Sequence, residues 1–260
     1  MILSLLALLY AGTVWFLLSN ENNFVYWGRG NKALMLHSIP EGFQEKFVTT
    51  TQGTLQYYEK PGVAELALVV YLGGNGEHAN LNLGWLNHRF PHSGIVTINY
   101  PEYGESTGAV GESHIKPALL EALQSISAGR PLIMVGRSLG TGFAAWLATQ
   151  LPNTQELILI TPYNRLSEIG CQRFAIFPDV VCNTWMENQL YTGSIIDSIH
   201  VPILVIYAEG DRTVPNENTL KLVGQRNDIR VVRVVGSNHN SLLDHPDAIN
   251  AIERRSIDLE

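Results

Sequence analysis

Three residues of this chain have types and spacing suited to nucleophilic acyl chemistry: Ser138, Asp211 and His239. Ser138 lies in Gly136-Arg137-Ser138-Leu139-Gly140, after the apolar run Pro131 to Val135 and before the Ala-rich stretch Thr141 to Ala148. A β-type run, a serine with glycines at i−2 and i+2, and then a helical run form the pattern of a nucleophile elbow. A serine on such a turn occupies strained backbone that crowds its neighbours, so the flanking positions must be small. The helix after the turn aims free N–H groups and its positive dipole end at the serine oxygen, where negative charge develops during acyl transfer.

The pentapeptide alone is a weak signal, because any glycine-rich turn can produce it. Its weight comes from the acid and the histidine found further along the chain, and from their order. Asp211 stands in Glu209-Gly210-Asp211-Arg212-Thr213-Val214-Pro215, directly after the buried-strand run Pro202 to Ala208. His239 stands in Gly236-Ser237-Asn238-His239-Asn240, after the strand expected over Arg230 to Val235. Ser, Asp, His at three strand ends is the order of one fold's triad. A serine hydroxyl is a poor nucleophile at neutral pH, so His239 must take its proton, while Asp211 fixes the imidazole tautomer. The oxyanion would meet the backbone N–H groups of Leu139 and Asn75, the latter in Gly73-Gly74-Asn75-Gly76 after the run Leu66 to Leu72. Asp244 and His245 are the rival acid and base.

The elements that must hold these loops alternate. Glu45 to Thr51 and Leu55 to Lys60, separated by Gln52-Gly53, read as a hairpin. Leu66 to Leu72, Gly94 to Asn99, Pro131 to Val135, Glu156 to Thr161 and Pro202 to Ala208 are continuous apolar runs, as expected of parallel strands covered on both faces. Helices are expected over Ala79 to Arg89, Glu112 to Ser127, after Ser138, and from Asn216 to about Gln225. This is an α/β chain with a mostly parallel central sheet, in which ligands bind beyond the C-terminal ends of the strands. The alternation lapses over about 162–200, which reads as a lid inserted over the site. Its Phe174, Phe177 and Trp185 are the candidate acyl-pocket residues. Cys171 and Cys182 both lie in this insertion, either bridged or as two buried thiols.

Met1 to Leu18 carries no charged side chain and would span roughly 27 Å as a helix. No basic n-region precedes it and no A-x-A comes after it, so residues 1–20 read as an uncleaved single-pass membrane anchor rather than a signal peptide. Residues 21–44 then form a linker and interfacial segment, with Phe24, Tyr26 and Trp27 as an aromatic belt and Arg29 and Lys32 at headgroup level. The α/β domain is expected over 45–255. Which side of the membrane holds it stays open: Arg29 and Lys32 argue for the cytoplasm, whereas the short N-terminal tail argues for translocation.

At 260 residues and 45% hydrophobic content, the chain can bury one sizeable core. A net charge of −7 without a basic cluster argues against a nucleic-acid partner. Two cysteines make no disulfide scaffold and no C-x-x-C, and H-E-x-x-H is absent, so neither metal nor other cofactor is expected.

The G-R-S-L-G elbow, the Y-P-E-Y-G-E-S-T-G loop from Tyr100, the E-G-D-R-T-V-P turn and the S-N-H-N loop together resemble the α/β-hydrolase superfamily of serine hydrolases. Within it, the chain is similar to the membrane-anchored branch of monoacylglycerol-lipase-like and protein-depalmitoylase-like enzymes. The resemblance covers about 45–255. It implies a Ser138, Asp211, His239 triad, an oxyanion hole at Leu139 and Asn75, and a small-molecule or lipid-like acyl substrate. That branch carries His-Gly-Asn at the oxyanion turn; Gly73 stands in the histidine position here, which leaves open what braces the turn. The function expected is hydrolysis of carboxylic esters or thioesters through an acyl-enzyme. A peptidase or amidase on the same triad, and a non-catalytic binding protein on the same fold, are the alternatives.

Overall fold

The apolar runs become the strands of a single sheet. The computed structural model describes residues 2–30, 38–173 and 177–254. Its strands are β1 (Gln44–Thr50), β2 (Gly53–Lys60), β3 (Leu68–Leu72), β4 (Ile95–Ile98), β5 (Leu132–Arg137), β6 (Thr154–Ile160), β7 (Ile203–Ala208) and β8 (Arg230–Val234). They pair in the order β1-β2-β4-β3-β5-β6-β7-β8. The β1–β2 hairpin and the β2–β4 pair are antiparallel, and the remaining pairs are parallel.

Side-chain alternation gives the sheet two cores, because successive strand residues face opposite sides. Leu68, Val70 and Leu72 of β3 and Ile203, Val205 and Tyr207 of β7 pack on one side. Val69, Tyr71, Leu204 and Ile206 pack on the other. The helices are α1 (Ile2–Ser19), α2 (Glu21–Val25), α3 (Leu83–Arg89), α4 (Glu112–Ser127), α5 (Leu139–Gln150), α6 (Leu166–Arg173), α7 (Asp179–Thr184), α8 (Asn216–Val223) and α9 (Pro246–Arg254). Helix α3 starts later than the sequence suggests: residues 79–82 form a turn, in which the Ala79 N–H donates to Asn99 Oδ1 at 2.7 Å.

The parallel register aligns the loops that matter. Leu72 pairs with Gly136, so the glycine turn after β3 runs beside Arg137 and Ser138. Ala208 pairs with Val234, so the loops carrying Asp211 and His239 leave the same rim. Between β6 and β7 the chain forms α6, α7 and two 3₁₀ turns, and Cys171 of α6 is joined to Cys182 of α7 by a disulfide.

Helix α1 is long and apolar enough to cross a membrane. The segment after it is not a linker over its first part. Tyr26 is fully buried, so it cannot belong to an interfacial belt, and its hydroxyl donates to Asn188 Oδ1 at 2.7 Å. Burial pushes that phenol well above its ordinary pKa and keeps it a donor. Phe24 and Trp27 remain partly exposed, while Lys32 lies outside the described residues.

Candidate active site

The site begins at Ser138, between β5 and α5, with φ 50 and ψ −118. A non-glycine residue at positive φ is strained and persists only where its surroundings hold it. Here its N–H donates to the Ile160 carbonyl at 2.9 Å, and its own carbonyl accepts from Thr141 N at 3.0 Å. The two flanking glycines are sterically required. A Cβ at Gly140 would stand 2.0 Å from the Leu72 carbonyl oxygen, and one at Gly136 would stand 2.6 Å from the Gly140 carbonyl oxygen.

Asp211 and His239 meet directly: His239 Nδ1 and Asp211 Oδ2 are 2.7 Å apart. The other carboxylate oxygen, Oδ1, accepts the N–H groups of Thr213 and Val214, each at 2.8 Å. Both carboxylate oxygens of Asp211 are therefore hydrogen-bonded, Oδ2 to one imidazole nitrogen, which leaves Nε2 as the free edge of the ring. The histidine loop is fixed by its own turn, in which Asn238 Oδ1 accepts from Asn240 N at 3.0 Å and Ser241 N at 3.2 Å. The rival His245 turns away, its Nδ1 accepting the Asp247 N–H at 3.2 Å.

Asn75 and Leu139 line one cavity with Ser138 and His239, about 640 Å³ in volume, within the usual range for small-molecule sites. Leu139 is the first residue of α5, so its N–H has no partner within the helix. The glycine turn opposite is braced from several sides. Tyr100 Oη donates to the Gly73 carbonyl at 2.8 Å and Tyr103 Oη to the Asn75 carbonyl at 2.7 Å. Burial raises both phenols well above their ordinary pKa, so both stay protonated. Glu77 braces it too: its Oε2 accepts the Gly74 N–H at 2.8 Å and the Tyr71 hydroxyl at 2.9 Å. Its other oxygen is ion-paired with Arg137. Sequence reasoning missed Glu77 and Arg137, although an acid three residues past Gly74 and a base beside the serine were both visible.

The lid residues divide. Phe177 lines the cavity together with Leu166, Ile169 and Met186. Trp185 does not: it is 63% exposed. Met186, the next residue, takes the inward place. Phe174 lies outside the described residues. Among the described residues no cluster of three or more His, Cys, Asp or Glu could hold a metal ion.

A second set of residues was not legible in the sequence. Glu21, the first residue of α2, is buried and accepts the backbone N–H groups of Glu187 at 2.9 Å and Asn188 at 2.8 Å, as well as Asn188 Nδ2. Leu17, Leu18, Phe24 and Trp27 also line the cavity.

No protein-family model matches the chain. An uncharacterized protein of Mycobacterium tuberculosis is 25% identical over 97% of this chain and 93% of its own length. The lysophosphatidylserine lipase ABHD12 of Danio rerio is 25% identical, covering 72% of this chain and 53% of that protein, so the chain spans about half of that relative. Among solved structures, alpha/beta hydrolase domain-containing protein 10 from mouse superposes with a TM-score of 0.64 at 16% identity, over 83% of this chain and 98% of that one. A hydrolase from Pseudomonas aeruginosa gives 0.64 at 17% identity, over 82% and 98%.

Proposed function

We propose that this chain, a member of the α/β-hydrolase superfamily, is a serine hydrolase that cleaves carboxylic esters or thioesters bearing an apolar acyl chain, and that α1 anchors it to a membrane. The observation that carries the reading is the 2.7 Å contact between His239 and Asp211 at a cavity shared with a strained, helix-capping Ser138.

The geometry supports a two-step displacement. His239 Nε2 accepts the Ser138 proton as Oγ bonds to the acyl carbon, and the N–H groups of Asn75 and Leu139 receive the oxyanion. The bond to the leaving alcohol or thiol breaks, and that group takes the proton from His239. Water then attacks the acyl-enzyme with the same base, releasing the acid and restoring Ser138. Asp211 holds the ring and stabilises the imidazolium without taking its proton.

The lid side chains Leu166, Ile169, Phe177 and Met186 support an apolar chain, each buried methylene adding about 0.8 kcal/mol. The naming of the Danio rerio relative as a lysophosphatidylserine lipase supports a lipid ester. The Cys171–Cys182 disulfide supports an oxidising side of the membrane. The test is fluorophosphonate labelling of wild type and Ser138→Ala, and then p-nitrophenyl esters of increasing length against dipeptidyl amides. Labelling that survives Ser138→Ala, or faster amide turnover, overturns the reading.

A further inference from the structure

Helix α1 touches the rest of the protein along one narrow face. Val14 is buried and Leu17 and Leu18 are half-buried, whereas the other described residues of the helix are exposed. These residues fall at i, i+3 and i+4, one side of the helix, and Glu21 opens α2 directly after it. The same Leu17 and Leu18 line the cavity that holds Ser138 and His239, and Phe24, Val25 and Trp27 continue that wall.

The attachment is built rather than tethered. Both Glu21 carboxylate oxygens are filled by the chain at Glu187 and Asn188, and Tyr26 is buried against Asn188. The Gly28 N–H donates to the Asn75 carbonyl at 3.1 Å, so the segment leaving the anchor is bonded to the turn proposed to bind the oxyanion. A Cβ at Gly28 would stand 2.5 Å from that carbonyl oxygen, and one at Gly76 would stand 2.5 Å from the Trp27 ring. Two glycines thus let two segments far apart in the chain close on each other.

An 18-residue apolar helix spans roughly 27 Å, about the hydrocarbon thickness of a bilayer. Its last turn, with Leu17 and Leu18, then lies at the bilayer boundary, and the cavity reaches that level. We infer that the end of the anchor is one wall of the acyl site, and that a single-chain ester or thioester resident in the bilayer enters the cavity there, its chain lying along Leu17, Leu18 and Phe24. This rests on the hydrolase reading above, and it makes the anchor a specificity-determining element as well as an address.

The experiment uses the full chain in phosphatidylcholine vesicles. The probe is a hexadecyl fluorophosphonate carrying a photoactivatable diazirine midway along its chain. It reacts with Ser138, is irradiated, and the crosslinked peptide is identified by mass spectrometry. The expected product joins the probe chain to the segment containing Leu17, Leu18 and Phe24. An adduct on Ser138 whose crosslinks fall only on Ile169, Phe177 or Met186 overturns the entry route and leaves the hydrolase reading standing. No adduct on Ser138 overturns both. A second arm measures labelling rates for the hexadecyl and ethyl fluorophosphonates in wild type and Leu18→Trp. Narrowing the wall lowers the ratio of long-chain to short-chain rates about tenfold, and an unchanged ratio in a folded, labelled variant counts against the inference.

Discussion

Arg137 Nη2 donates to the carbonyl oxygen of His239 at 2.9 Å. The residue immediately before the proposed nucleophile therefore holds the backbone of the loop that carries the proposed base. Because Arg137 is also ion-paired with Glu77, which accepts the Gly74 N–H, one buried pair ties together the elbow, the glycine turn and the histidine loop.

Breaking that pair from one side leaves a buried charge without its partner, at a cost of about 3 kcal/mol. Glu77→Gln and Arg137→Met each lower the thermal midpoint accordingly, as read by circular dichroism. The double variant recovers much of the stability, because no unpaired charge remains. Its kcat stays low, because the His239 carbonyl has lost the guanidinium that holds it. Recovery of both stability and kcat together would show that the pair does not position the site.

Asp211 and Asp244 make opposite predictions. Asp211→Asn leaves a neutral group on His239 Nδ1 and favours the wrong tautomer, so kcat on a p-nitrophenyl ester falls roughly 10⁴-fold. Asp244→Asn and His245→Ala leave kcat near that of wild type, since His245 is engaged with the start of α9. A large loss in either of the latter would reassign the acid and base.

The same glycine-to-alanine change has opposite signs at two places. Gly140→Ala drives a Cβ to 2.0 Å from the Leu72 carbonyl and destabilises by about 3 kcal/mol or more. Gly84, inside α3, has nothing within 4 Å of its would-be Cβ, so Gly84→Ala stabilises by about 1 kcal/mol. Denaturant midpoints for the two variants, read side by side, check both signs.

Alkali destabilises the fold through its buried phenols. Burial pushes Tyr71 up to about 12 from an ordinary 10.0, and Tyr100 and Tyr163 are raised as well. The folded state therefore keeps these protons after the unfolded chain has lost them. The stability they contribute is intact below pH 10 and is lost as pH rises through 12, with Tyr71 alone accounting for about 3 kcal/mol. Thermal midpoints between pH 9 and 12, tracked together with tyrosinate absorbance, should fall as the phenols ionise. Midpoints flat to pH 12 would contradict the burial of Tyr71.

Much of the architecture was legible in the sequence because it rests on local patterns. Val69, Val70, Val205 and Ile206 announce buried parallel strands by composition alone. Gly136 and Gly140 announce a turn that no larger residue can occupy, and the order of Ser138, Asp211 and His239 is set by which strands carry them. Strand propensity and close backbone approach act over a few residues, so a linear reading captures them.

The tertiary structure alone decided which side chains line the site and which leave it. Nothing in the uniformly apolar α1 marks Val14, Leu17 and Leu18 as its contact face, because an evenly apolar helix has no preferred side until a partner surface selects one. Glu21 looks like the polar end of an anchor until Asn188, 167 positions away, fills it, and Tyr26 looks like a belt residue until Asn188 buries it. Trp185 looks like a pocket residue by composition, yet it stays exposed while its neighbour Met186 lines the cavity. Glu77 and Arg137 become a pair only when β3 and β5 lie in register. In each case the energy comes from desolvation and complementary charge between segments distant in the chain, and these exist only once the chain has folded.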